Sequence, residues 1–85
     1  MGLHDFRYLE CRRALRKLGF WLDTSRRGRH DKYVAPDFLK RTLSPGAPEF
    51  ITVPRHRELH CQMEIVRELG RIGGDDLVQR FRRLL

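Results

Sequence analysis

The run Arg26-Arg27-Gly28-Arg29-His30 sets three arginines, hinged at a glycine, directly before a histidine. Imidazole changes charge near neutral pH, so it can take or give a proton there. Guanidinium groups stay charged and grip phosphate through paired N–H donors. A proton-transfer group beside cations that hold a polyanion is the combination phosphodiester cleavage requires. In RNA the 2′-hydroxyl can itself attack the adjacent phosphorus. No metal is then needed, provided one group removes the 2′ proton and another protonates the departing 5′-oxygen. His30 is the candidate catalytic residue, read as the base. Arg26, Arg27, Arg29, Lys32 and Arg55 are the candidate RNA-binding residues, able to stabilise charge that builds on the phosphoryl oxygens. His56 is the candidate for the second acid or base.

These residues need elements to position them. From Phe6 to Leu18 the apolar residues Tyr8, Cys11, Ala14, Leu15 and Leu18 recur on one helical stripe, with Arg12, Arg13, Arg16 and Lys17 opposite and Gly19 as a stop. Phe20 to Thr24 alternates as a short strand, with Phe20 and Leu22 inward and Trp21 outward. Gly28 breaks the pattern, and His30 to Ala35 reads as a second strand ended by Pro36. In that strand His30, Lys32 and Val34 share one face, and Asp31, Tyr33 and Ala35 share the other. The strand alone does not decide which face is outward. Residues 37–49 read as a long loop, and Phe50-Ile51-Thr52-Val53 as a third strand closed by Pro54. Two helices follow, one over about Leu59 to Leu69 and one after Gly73-Gly74, with Asp75 as its cap. A short first connection makes the sheet antiparallel, and the order calls for an α+β fold with helices on one face.

The 85 residues suffice for a single domain, 1–85, with one modest core. Eighteen lysines and arginines against 11 acidic residues give a net charge of +7, spread along the chain, which points to a polyanionic partner. No apolar run approaches the ~20 residues that span a bilayer, and Met1 to Phe6 lacks a signal-peptide core, so a cytoplasmic protein without membrane contact is expected. Cys11 and Cys61 lie too far apart to suggest a zinc ribbon and read as reduced apolar residues. His56, His60 and Cys61 lack the remote ligands a zinc site needs and read as surface residues. Asp75-Asp76 reads as a helix start rather than a metal pair. No metal and no cofactor is expected. Trp21 reads as core or interface before base-stacking platform, and Arg80, Arg82 and Arg83 as solvated helix charges or an extension of the basic surface.

The helix ending Leu18-Gly19-Phe20, the Gly28-Arg29-His30 step, the following Tyr33 and Pro36, and Ile51-Thr52-Val53-Pro54 together resemble the HicA (YcfA-like) family. The resemblance runs from about Phe6 to Phe81. It implies a double-stranded-RNA-binding-like α-β-β-β-α(-α) fold and a toxin of a type II toxin–antitoxin system. Such a toxin is an mRNA endoribonuclease, its histidine mapping onto His30, silenced by a small HicB-like antitoxin. The chain departs from the family in carrying Arg29 where Ser or Thr is usual, Lys32 where an apolar residue is common, and a longer loop before the third strand. The Arg29 departure keeps a second expectation in view, a non-catalytic RNA- or DNA-binding module of the same fold.

Overall fold

The computed structural model describes residues 6–24, 30–40, 49–55 and 62–85. The first helix, α1 (Tyr8–Lys17), follows the apolar stripe and buries Cys11, Ala14 and Leu15. Glu10 closes its N-terminus by accepting the Arg7 N–H at 3.0 Å. Its C-terminus is a Schellman turn, in which Phe20 N–H donates to Leu15 O and Gly19 N–H to Arg16 O, both at 3.0 Å. Gly19 takes the left-handed φ of 96° that this turn requires.

Three antiparallel strands follow in the order β1 (Trp21–Leu22), β2 (His30–Val34) and β3 (Phe50–Pro54), with β2 central. β1 is shorter than the alternating pattern suggests, although Asp23 N–H extends the pairing to Lys32 O at 2.8 Å. Pro54 does not close β3 from outside; it is the last strand residue and pairs with His30, a place at a strand end where a missing N–H is tolerated. The segment expected to be loop begins with a single helical turn, α2 (Asp37–Lys40).

The structure settles the faces of β2. Asp31, Tyr33 and Ala35 are buried, and so are Ile51 and Val53 from β3, so this face meets the helices. His30, Lys32 and Val34 line the other face with Phe50 and Thr52. Phe20 is buried and Trp21 exposed, as the alternation required. The final element, α3 (Gln62–Leu84), contains both expected helices as two arms meeting at Gly74, the one residue inside it with non-helical angles (φ 69°, ψ −167°). Leu59 to Cys61, expected to open the first arm, lie outside the described residues.

The core lies between α1, α3 and the inner sheet face, centred on Leu15, Tyr33, Ile51, Leu69, Ile72 and Phe81. Phe6 packs edge-on against Phe81, with ring centroids 5.3 Å apart, and Gln62 Nε2 donates to Phe6 O at 3.2 Å. Both contacts fasten the entry to α1 onto α3. No helix among the described residues is long and apolar enough to cross a membrane.

Candidate functional site

His30 opens β2 on the exposed sheet face. Its strand partner is Pro54, and the next outward residue on its own strand, Lys32, pairs with Thr52. Lys32 Nζ lies 4.3 Å from the centroid of Phe50, the diagonal neighbour on β3. The outer face thus carries an imidazole, an ammonium held over an aromatic ring, and exposed Trp21 on β1.

A cleft of about 440 Å³ runs beside these residues. One wall is β3 from Phe50 to Pro54; the other is the first arm of α3, through Glu64, Ile65, Glu68 and Arg71. The pairing of His30 with Pro54 places the imidazole at the Pro54 end of this cleft. Glu68 Oε1 lies 3.4 Å from Arg71 Nη1. Its second oxygen, Oε2, is sealed from solvent and has no hydrogen-bond partner among the described residues. Nothing in the composition singled out Glu64, Glu68 and Arg71. Their spacing of i, i+4, i+7, each one residue ahead of buried Ile65, Leu69 and Ile72, is the signal that places them along the rim of the buried stripe.

On the inner face, beneath His30, a polar cluster ties α1 to the sheet. Asp31 is only 4% exposed. It accepts a hydrogen bond from the Tyr8 hydroxyl and an ion-paired one from Arg55 Nε. Burial alone raises the carboxyl's pKa. The bonds from Tyr8 and Arg55, with the charges of Arg55 and Arg12, outweigh burial and hold Asp31 below the usual carboxylate range. Burial, and then the bond to Asp31, pushes the Tyr8 hydroxyl far above its ordinary value. Burial raises the pKa of the Tyr33 hydroxyl too.

The structure therefore divides the residues singled out from sequence. His30 and Lys32 share the open face. Arg55, read as a phosphate contact, uses its Nε on Asp31, although half of its side chain stays exposed. Asp31, adjacent to His30 in sequence, points to the opposite side of the sheet. Arg26, Arg27, Arg29, His56, His60 and Cys61 lie outside the described residues. Cys11 is buried in α1, Asp76 pairs with Arg80 at 3.3 Å, and the described residues contain no cluster of three or more metal-binding side chains. Compared with models of protein families, with curated proteins and with solved structures, the chain matches none.

Proposed function

We propose that the protein is a metal-independent endoribonuclease that cleaves mRNA in the cytoplasm through His30. It would be the toxin of a type II toxin–antitoxin pair of HicA kind, held inactive by a HicB-like antitoxin. The observation that carries this reading is the placement of His30, exposed on the open sheet face at one end of a cleft of about 440 Å³. That volume lies within the ~300–1,000 Å³ range of ligand sites. A net charge of +7 favours a polyanionic partner, and Lys32 supplies a cation on this face two residues from the imidazole. An unregulated nuclease of this kind would damage its own cell, which is the reason to expect an inhibitor acting at the same face.

The test is incubation of wild-type and His30→Ala protein with a long single-stranded RNA in EDTA. Wild type should cleave, leaving 2′,3′-cyclic phosphate ends, and should spare the matching DNA, which lacks the nucleophile. His30→Ala should be slower by ~10²-fold or more, the usual effect of losing a general acid or base. A strict need for Mg²⁺, or equal rates for the two proteins, would end the proposal.

The second reading is a non-catalytic nucleic-acid-binding module. It is favoured by the pairing of Lys32 with Phe50 beside exposed Trp21, a basic and aromatic surface of the kind on which unpaired bases stack. Tight RNA binding with no cleavage in the same experiment would select it.

A further inference from the structure

Cleavage through the 2′-hydroxyl needs two proton transfers, and His30 supplies one. We infer that Glu68 supplies the other, as the general base opposite His30, with Arg71 orienting its carboxylate and meeting the scissile phosphate. The inference rests on the ribonuclease reading and gives Glu68 the second role for which the sequence offered His56, a residue outside the described ones. Two observations support it. Glu68, Arg71 and His30 line one cleft, although they come from α3 and β2. Within it Glu68 Oε1 lies 3.4 Å from Arg71 Nη1 and the Glu68 side chain is 30% exposed, so a carboxylate oriented by a guanidinium is reachable from the cleft. A 2′-hydroxyl seated in the cleft would meet Glu68 at Oε1, beside Arg71, because Oε2 is sealed from solvent.

The chemistry then divides the roles. An ionised carboxylate can only accept, whereas imidazole can accept or donate. Glu68 takes the proton from the 2′-hydroxyl as the 2′-oxygen forms its bond to phosphorus. The P–O5′ bond breaks, and His30, as imidazolium, gives its proton to the departing 5′-oxygen. The products are a 2′,3′-cyclic phosphate and a free 5′-hydroxyl. The enzyme is left with protonated Glu68 and neutral His30, and exchange with water resets both. His30 is thus moved from base to acid. Arg71 stabilises the extra charge on the phosphoryl oxygens in the transition state.

The discriminating substrate is an RNA oligonucleotide with one bridging 5′-phosphorothiolate, whose sulfur leaves as a thiolate without needing a proton. Wild type, Glu68→Gln, Glu68→Asp and His30→Ala are compared on this substrate and on ordinary RNA, with folding checked by circular dichroism. On ordinary RNA, Glu68→Gln should lose ~10²-fold or more in kcat/KM and Glu68→Asp should recover part of it, because a carboxylate is present again. On the phosphorothiolate, His30→Ala should return close to the wild-type rate while Glu68→Gln stays slow. Wild-type cleavage that Glu68→Gln leaves unchanged would overturn the Glu68 assignment alone. Rescue of Glu68→Gln in place of His30→Ala would overturn the division of roles. No cleavage of ordinary RNA by the wild type would overturn the reading of the whole site, and this inference with it.

Discussion

At the scale of single residues, Asp31 is the group whose loss the fold should feel most. It is a nearly buried carboxylate whose charge is made tolerable by Tyr8 and Arg55. Its pKa is lower in the folded than in the unfolded chain, so its stabilisation is fully present above the ordinary carboxylate value near ~3.9 and is lost as pH falls through the lower folded one. Tyr8 works with the opposite sign. Its raised pKa gives stabilisation that is present below the ordinary tyrosine value near ~10 and is lost as pH rises beyond it. We expect Asp31→Asn to lower stability by about 1–3 kcal/mol near neutrality and to flatten the acid limb of a plot of urea midpoint against pH. Tyr8→Phe should flatten the alkaline limb instead. An Asp31→Asn protein whose acid limb matched the wild type would show that the carboxyl is not the group being titrated. None of this was legible in the sequence. Asp31 is 23 residues from Tyr8 and 24 from Arg55, and both faces of β2 mix polar with apolar side chains, so alternation alone could not turn Asp31 inward.

At the scale of elements, α3 poses a sharper problem, because two helices share one continuous trace through a glycine. Gly74 sits at φ 69° and ψ −167°, a region essentially reserved for glycine, and a Cβ built there meets nothing within 4 Å. Gly74→Ala therefore tests backbone strain free of any clash, and should cost ~1–3 kcal/mol in thermal unfolding. Gly70, in the helical first arm, is the internal control. A Cβ there would make an ordinary 3.8 Å contact with Val78 Cγ2, so Gly70→Ala should be neutral or should stabilise by up to ~1 kcal/mol. Equal effects at the two glycines would mean that the break between the arms is not set by Gly74. Both arms were legible, since their apolar residues recur at helical spacing on either side of Gly73-Gly74, as were α1 and the three strands. The single turn α2 was not, because four residues are too few to show a period. The cleft was hidden for a different reason. Glu64, Glu68 and Arg71 look like an ordinary solvated helix edge until the fold lays that edge along β3.

At the scale of the whole molecule, the distribution of charge decides how RNA would be held. The net charge of +7 is global, yet the described wall of the cleft on α3 carries two glutamates against one arginine. A polyanion is therefore not drawn in by the helix wall. Its attraction must come from other cations, of which Lys32 is structurally placed on the face and Arg26, Arg27 and Arg29 directly precede His30 in sequence. Each phosphate contact on a single strand contributes about 0.7 to the slope of log affinity against log salt. With His30→Ala protein, so that the RNA survives, we expect affinity to fall steeply with salt. Adding Arg26→Ala and Arg27→Ala together should flatten the slope by ~1.4, and adding Lys32→Ala alone by ~0.7. Arg80 is the contrasting case, because it already pairs with Asp76 on the second arm of α3, so Arg80→Ala should leave the slope unchanged. A slope that dropped equally for Arg80 and for Lys32 would mean that RNA responds only to total charge. The open sheet face would then not be the binding surface, and the position of His30 on it would lose its significance for catalysis.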